Sequence, residues 1–523
     1  MRTYSIECII SEWGEVMFFK NRLIRDTILL TLMQLFLDTA SLLLNVFITK
    51  QLGAEAIGIL TLMGSFLGLA GILSNGNAFL CTSRLVSEEM GKTNSNPDKI
   101  LAHGIKLCLM LSISVSVALF IFAEPLSSKF FSGAKMDTAI KFMPLALISG
   151  AVSACFKGYF NASRKASVSA VGDIIEFIIK SLVIILMTFS ATNPDENSVC
   201  RIMIAGIIAG NVFSLFYCLI VFAKNHKKST GRCSLNFRKY MSYAFPIMAG
   251  SILTSALSST NDALIPMCLR QSGDSVNEAF SRFGIFEAIV IPTLFFPSVV
   301  LCSMSGIIVS ESARATASGN MERIRHLTER LTRYTIIFAV FASAVLMKFG
   351  DNIGEILGGG ELAGKMITII APVVPFIYME IISEALIKGM GLQSFSSLNY
   401  LAEYAVRISV VLIFVPKFSF YGIVASYYAS NVMGNCARLV KIIKHTKTPF
   451  RPFRTVAVPV IYAFLTMGAV ELITHITGAD SEKLPELILF VILWGIAYFG
   501  IFIAMNYNPS EIPDRKLLCN INK

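Results

Sequence analysis

The chain has 523 residues, of which 54% are hydrophobic and only 15% are charged, whereas soluble proteins carry about 25% charged residues. Apolar runs of roughly 20 residues recur along the whole length, which excludes a soluble globular protein and predicts an all-α protein that crosses a membrane many times. We attribute the net charge of +11 mostly to membrane topology and attraction to anionic lipid headgroups, not to nucleic acid binding.

Fourteen apolar runs predict fourteen transmembrane helices, here called runs 1 to 14. They cover residues 26–49, 56–80, 101–123, 138–160, 168–190, 202–223, 241–267, 283–309, 334–349, 366–387, 397–415, 420–440, 455–476 and 485–505. Residues 1–16 are poorly patterned, and Met17 precedes the basic and aromatic stretch that leads into run 1. We therefore expect residues 1–16 to be dispensable or an over-called start.

The basic residues predict the orientation of these runs, because cytoplasmic loops collect Lys and Arg. With the N-terminus in the cytoplasm, the inner segments, among them 310–333 and 438–454, hold 32 of the 45 Lys and Arg residues. Both termini are therefore predicted to be cytoplasmic. The predicted divisions are an N-terminal segment (1–25), a first lobe (26–223), a cytoplasmic loop (224–240), a second lobe (241–445), runs 13 and 14 (446–505) and a cytoplasmic tail (506–523).

Runs 5 and 11 each carry an acid four residues before a base, namely Glu176 with Lys180 and Glu403 with Arg407. On a helix each pair shares one face, in the favourable acid-first order. A charge at the centre of a bilayer costs about 2.5–3.5 kcal/mol, so neither face can point at lipid tails. The pairs either lock neighbouring helices within one lobe or line a polar cavity between two related halves, which is the plan of a transporter.

Short motifs repeat in order at nearly one offset, between 223 and 231 residues. Val86-Ser87-Glu88 matches Val309-Ser310-Glu311, Lys157-Gly158 matches Lys388-Gly389, and the acid–base pair of run 5 matches that of run 11. An offset of six runs preserves orientation, so the pattern predicts two parallel six-helix repeats, with runs 13 and 14 outside them.

Several other residues are candidates for function. Asp38 lies in the middle of run 1, where a solitary acid either binds a coupling cation, H⁺ or Na⁺, or is a hydrogen-bonded structural acid. Glu380 and Glu384, with Lys388 one turn beyond, predict a half-paired stripe near the inner interface. The cytoplasmic ends of runs 1 and 2 carry basic residues that are either a topology signal or capture an anionic headgroup: Arg22, Arg25 and Arg84.

Four prolines interrupt runs 7 and 8 and produce either static kinks or points at which these helices bend as gates. They are Pro246, Pro266, Pro292 and Pro297. The eleven cysteines are scattered singly with no CxxC pair, and we therefore predict neither a metal site nor a disulfide framework.

Four segments together resemble one family. They are Leu52-Gly53-Ala54-Glu55-Ala56-Ile57-Gly58, Ser83-Arg84-Leu85-Val86-Ser87-Glu88-Glu89, Lys157-Gly158-Tyr159-Phe160 and the run from Ile175-Glu176 to Lys180. The combination is similar to the polysaccharide transporter branch of the MOP flippase superfamily, in particular to the stage V sporulation protein B group, relatives of the lipid II flippases. The resemblance covers essentially the whole chain.

The resemblance implies a V-shaped pair of lobes around a central cavity in a bacterial cell membrane, working by alternating access without enzymatic chemistry. The implied substrate is a polyprenyl-pyrophosphate-linked saccharide for a wall, capsule or spore pathway, and the last two helices would form a groove for its lipid tail. We expect a monomer without a resident cofactor. Where the group has basic residues in run 1, this chain has Asp38 and Asn45, which favours the alternative of a cation-coupled multidrug exporter of the MATE branch.

Overall fold

The structure, a computed structural model, describes residues 22–90, 96–130, 137–163, 165–190, 196–225, 236–448, 453–477 and 484–506. Helices occur at all fourteen predicted positions, and we label them α1 to α14. They are α1 Arg22–Leu52, α2 Ala54–Met90, α3 Pro97–Ile121, α4 Asp137–Ala162, α5 Ala166–Ser190, α6 Glu196–Asn225, α7 Phe237–Gln271, α8 Val276–Ala317, α9 Met321–Ile356, α10 Gly360–Gly389, α11 Gln393–Phe418, α12 Phe420–Thr446, α13 Val458–Thr477 and α14 Leu484–Asn506.

Eleven of these helices are long and apolar enough to cross a membrane. The other three, α5, α7 and α12, have 25, 35 and 27 residues, and at 1.5 Å per residue each exceeds the roughly 30 Å of a hydrocarbon core. They are more polar because each carries charged side chains, among them Glu176 and Lys180 of α5, Asp262 of α7 and Arg438 of α12. The prediction of an all-α membrane protein is confirmed, whereas the count of fourteen spans stays a prediction.

Several helices extend well beyond their predicted ends. Segment 310–333, predicted as an inner loop, is mostly helical, because α8 continues to Ala317 and α9 begins at Met321. The side-chain oxygen of Asn320 caps α9 by accepting a hydrogen bond from the Arg323 amide at 2.9 Å. Hydropathy marks only the part of a helix that lies in hydrocarbon, so the polar turns that extend out of it escape detection.

Helices α1 to α6 pack into one bundle and α7 to α12 into a second. Helices α13 and α14 lie beside α9 of the second bundle. The buried Trp494 of α14 donates to the Ala463 carbonyl of α13 at 3.2 Å, and the Tyr498 hydroxyl donates to the Ile337 carbonyl of α9 at 3.1 Å. The last two helices are thus fastened to the second lobe.

The two lobes meet most closely at the end that carries the α1–α2 and α7–α8 turns. Gly58 of α2 and Gly284 of α8 lie in direct contact, and a Cβ atom at either position would overlap backbone of the facing helix. Beside them, Lys50 Nζ donates to the Ile356 carbonyl at 3.1 Å. Small residues allow such close approach of membrane helices.

We expect Gly58→Ala to weaken this closed end, because the added methyl group overlaps the Phe280 carbonyl and overpacking costs about 1–3 kcal/mol. The distance between spin labels at Gln51 and Gln271, in a cysteine-depleted background, should shift to longer values. Gly250→Ala is the matched control, because a Cβ there meets no atom within 4 Å. An unchanged distance distribution in Gly58→Ala would contradict the assignment of this contact as the closure.

The four predicted gating prolines differ in their local structure. Helix α7 is continuous through Pro246 and Pro266. Helix α8 instead contains a π-helical turn, Phe286–Val290, before Pro292 and a 3₁₀ turn, Phe296–Ser298, at Pro297.

Proline lacks the N–H that would bond to the carbonyl four residues earlier, so Pro292 leaves the Ala288 carbonyl without its helical partner. Asn45 of α1 supplies the missing donor at 3.1 Å from the other lobe. The break in α8 is therefore stabilised across the lobe interface. A gating role for the four prolines stays a prediction.

Candidate functional site

The first lobe contains a polar cavity of about 430 Å³. Helices α2, α4, α5 and α6 enclose it. The α2 wall is a row of glycines, Gly64, Gly68 and Gly71, that leaves room beside the charged residues of the opposite wall. Those charged residues are Lys157, Glu176 and Lys180.

Lys157 of α4 holds the acids of α5. Its side chain is only 11% exposed, and Nζ lies 2.7 Å from Asp173 Oδ1 and 2.8 Å from Glu176 Oε2. Glu176 is therefore paired with a cation of a neighbouring helix and not with Lys180 of its own helix.

Lys180 Nζ lies 5.3 Å from the centre of the Phe177 ring. Within the described ranges its ammonium group forms no ion pair with a carboxylate. Lys180 is thus the cation of the first cavity that remains available to a ligand.

The second lobe contains a cavity of about 420 Å³ between α8, α10, α11 and α12. Its lining combines carboxylates, cations and tyrosines. The polar members are Ser305, Glu380, Glu384, Lys388, Tyr400, Glu403, Tyr404, Arg407, Tyr427 and Asn431.

Arg438 of α12 is fully buried behind this cavity and binds three glutamates. Its Nη1 and Nη2 donate to the two oxygens of Glu403 at 2.6 and 2.9 Å, and its guanidinium approaches Glu380 at 3.2 Å and Glu384 at 3.5 Å. The Tyr400 ring covers the guanidinium at 4.9 Å.

One prediction about this region is wrong. Arg438 does not lie in an inner loop, because α12 continues to Thr446 and buries it. The predicted stripe is present in part, since Lys388 Nζ lies 3.3 Å from Glu384 Oε1, and Arg438 is a further partner of both Glu380 and Glu384. A desolvated carboxylate needs such a partner.

Arg407 is held by aromatic rings and not by Glu403. Its guanidinium lies 4.6 Å from the centre of the Tyr427 ring and 5.5 Å from that of Tyr404, and its Nε donates to Ser430 Oγ at 3.0 Å. The remaining N–H groups of Arg407 can bind a ligand in the cavity that it lines.

The acidic helix packs in the same way in both lobes, but the cation that pairs with its glutamate comes from a different helix in each. Gly210 of α6 lies against the Glu176 backbone, and Gly434 of α12 lies against the Glu403 carboxylate, so the acidic helix meets a glycine in both lobes. One turn after Gly434 comes Arg438, whereas one turn after Gly210 comes Ser214, which donates to the Gly172 carbonyl at 3.0 Å. The first lobe takes its cation from α4 instead.

The charged faces of α5 and α11 line two separate pockets that have no lining residue in common. The lobes are in contact between them. Ser65 of α2, next to the cavity residue Gly64, donates to Asp262 Oδ2 of α7 at 2.6 Å. Ser259 Oγ also donates to the Ser65 carbonyl at 2.9 Å. We call this contact the partition.

Two of the other predicted residues, Asp38 and Arg84, lie outside both cavities. Asp38 is exposed and accepts a hydrogen bond from Gln34 at 2.8 Å. Arg84 is exposed and pairs with Glu88 at 3.1 Å. The backbones of Arg22 and Arg25 belong to α1, but their side chains lie outside the described part of the chain.

Sequence reasoning missed Arg438 and the pairing role of Lys157. A signal for Arg438 was present, because Asn431, Asn435 and Arg438 follow one another at helical spacing in run 12 and its continuation. For Lys157 the repeated Lys157-Gly158 motif marked the residue, but its spacing in the sequence does not indicate Asp173 and Glu176 as its partners.

An apolar groove of about 380 Å³ lies outside the cavities, between α1, α8, α9 and α14. Each of the four helices contributes to its wall, for example with Leu42, Phe296, Phe338 and Val491. We call it the α1–α8 groove. Charged cavities inside a helical bundle, with an apolar groove outside them, are typical of a membrane transporter.

Comparison with known proteins identifies the family. Residues 23–309 match the profile of the family described as polysaccharide biosynthesis protein. The chain belongs to this family, within the MOP superfamily, as its motifs predicted. No curated protein sequence matches the chain.

Solved structures share the fold. The lipid II flippase MurJ in an inward closed conformation superimposes with a TM-score of 0.70 at 15% identity, over 92% of this chain and 99% of that chain. The MATE multidrug transporter DinF-BH gives 0.59 at 16% identity, over 80% and 94%. A MOP superfamily transporter from Pyrococcus furiosus gives 0.57 at 13% identity, over 80% and 95%.

Proposed function

We propose that this protein is a flippase that moves a polyprenyl phosphate- or pyrophosphate-linked oligosaccharide or cell-wall precursor from the inner to the outer leaflet of a bacterial cell membrane. The observation that carries the proposal is the pairing of charged cavities inside the lobes with an apolar groove on the membrane side. An amphiphile with a charged headgroup and a long hydrocarbon tail requires both surfaces.

Lys180 and Arg407 are the headgroup ligands in this proposal. A phosphate oxygen favours cationic N–H donors, which form the stronger class of hydrogen bonds. Lys157 and Arg438 are already paired with carboxylates, whereas Lys180 and Arg407 retain donors that face their cavities. The acids and asparagines around them can accept hydrogen bonds from saccharide hydroxyl groups.

The α1–α8 groove serves the polyprenyl tail. Its wall offers almost only hydrocarbon and includes Val491 of α14. The tail would remain in contact with lipid while the headgroup crosses, so the protein would avoid burying the whole substrate. This arrangement gives α14, one of the two helices outside the six-helix repeats, a function.

Alternating access follows from the two-lobed plan. With the predicted cytoplasmic termini and fourteen spans, the Gly58–Gly284 contact lies on the outer side, and the structure represents a conformation closed to the outside. Breaking the partition and the Gly58–Gly284 contact would join the two cavities and open them outward. The parallel glycine contacts in α6 and α12 support two parallel six-helix repeats that rotate as units within one monomer.

A second candidate function is cation-coupled multidrug export. The second cavity favours it, because three glutamates and three tyrosines line that cavity, and acids with aromatic rings bind organic cations. In that case Asp38 would bind the coupling H⁺ or Na⁺.

Depletion of the protein in its native host, followed by lipid extraction, separates the two functions. We expect a polyprenyl-linked saccharide to accumulate and to disappear when the wild-type gene is restored. Lys180→Gln should fail to clear it. Unchanged lipids together with new drug sensitivity would overturn the flippase and favour the exporter.

A further inference from the structure

A second apolar groove lies on the opposite face of α9, between α9, α10, α12 and α13, with a volume of about 550 Å³. We call it the α9–α13 groove. Its floor is buried and includes Val340, Met379 and Ala463, whereas Met347 and Phe464 at its rim are 40% and 58% exposed. The groove is therefore open toward the surroundings of the bundle.

The polar groups in this groove have partners within the protein. Pro375 leaves the Ala371 carbonyl without a helical donor, and Ser343 Oγ donates to it at 2.7 Å. Asn435 Nδ2 donates to the Asn431 carbonyl at 2.9 Å. With these groups satisfied, the groove offers a ligand alkyl and aryl surface together with the Cys436 thiol. A thiol behaves as a small hydrophobic group, so the surface fits a hydrocarbon chain.

One end of the groove is basic. Arg454 is exposed and stands two residues before Val456, which lines the groove. Arg333 precedes the lining residue Ile336 by one helical turn, and Lys444 is exposed near the end of α12. An apolar groove with cations at its mouth matches the charge and shape of an anionic phospholipid.

The α9–α13 groove is distinct from the α1–α8 groove. The two share no lining residue, and α9 separates them, with Val340 and Ala344 on one face and Phe338 and Phe341 on the other. Only the α1–α8 groove reaches α1 and α8, where the lobes meet. An occupant of the α9–α13 groove would stay with one lobe while the lobes move.

We propose that the α9–α13 groove binds an anionic membrane phospholipid, with its acyl chain along the floor and its headgroup phosphate on Arg454 and Arg333. Met379 of the floor is adjacent to Glu380, and Asn435 accepts a hydrogen bond from Arg438 at 3.4 Å. The bound chain would therefore keep water away from the back of the Arg438 cluster. The inference is independent of the substrate that the protein transports.

Native mass spectrometry of the full chain tests this site. Protein in a neutral detergent would be mixed with phosphatidylglycerol or phosphatidylcholine of identical acyl chains. We expect phosphatidylglycerol to be retained in preference. Arg454→Gln should weaken the retention of phosphatidylglycerol about fivefold, because one cation near the membrane surface contributes about 1 kcal/mol to the binding of an anionic lipid. Ala344→Phe should abolish the retention, because the larger side chain fills the groove. Lys224→Gln, an exposed basic change at the end of α6, should leave it unchanged.

Three outcomes would overturn the proposal. The first is equal retention of both phospholipids, which would mean that Arg454 and Arg333 do not contribute to lipid binding. The second is unchanged retention in both Arg454→Gln and Ala344→Phe. The third concerns farnesyl phosphate, a probe for a prenyl tail. If farnesyl phosphate displaces phosphatidylglycerol from the wild type and no longer binds to Ala344→Phe, this groove is a substrate site.

Discussion

Replacing Arg438 with methionine is expected to destabilise the protein by about 3–5 kcal/mol, the cost of removing one partner from a buried ion cluster. Arg438 is fully buried and is shared by Glu380, Glu384 and Glu403. Without it, carboxylates in the interior lose the cation that offsets their desolvation. The apparent Tm of purified protein in detergent should fall sharply.

Two further variants make this result specific. Arg314→Met removes an exposed arginine that pairs with Glu311, and it should leave the Tm unchanged because surface ion pairs contribute little. Adding Glu403→Gln to Arg438→Met should recover part of the loss, since one fewer charge then remains unpaired. A Tm for Arg438→Met equal to that of the wild type would contradict a structural role for the cluster.

Replacing Lys180 or Arg407 with glutamine is expected to slow headgroup transport about 10- to 150-fold while the protein still folds. A hydrogen bond to a charged group contributes about 1.5–3 kcal/mol, and each 1.4 kcal/mol corresponds to a factor of ten. The measurement is translocation of a fluorescent polyprenyl-pyrophosphate-linked saccharide in proteoliposomes, with protein incorporation checked for each variant.

Charge-preserving and distant changes serve as controls for this result. Lys180→Arg should retain most of the activity, because it keeps a cation in the first cavity. Lys224→Gln alters a basic residue of the same lobe outside the cavity and should transport normally. Transport at the wild-type rate by well-incorporated Lys180→Gln and Arg407→Gln would remove both residues from the headgroup site.

The positions of the helices were largely predictable from the sequence. Apolar runs located all fourteen, because hydrocarbon accepts only apolar side chains over a length set by its thickness. The motifs around Arg84, Lys157 and Glu176 identified the superfamily. The prediction failed at helix ends, as in 310–333, because polar turns outside the membrane leave no hydropathy signal.

The sequence by itself determined that α5 and α11 carry charges that must avoid lipid, since their cost in hydrocarbon depends only on residue type and depth. It did not determine the partners of those charges. The spacing of Glu176 from Lys180 and of Glu403 from Arg407 favours pairing on one helix, but a local pair contributes only about 0.2–0.5 kcal/mol.

Only the tertiary structure decided that Lys157 of α4 binds Glu176 and that Arg438 of α12 binds Glu403. A cation on a neighbouring helix, held in a desolvated interior, outweighs a local pair because the low dielectric strengthens its attraction. Because the two glutamates pair with cations of neighbouring helices, Lys180 and Arg407 do not pair with them and face the cavities. Which cations can bind a ligand thus depends on how the helices pack together, and the sequence of one helix alone does not determine it.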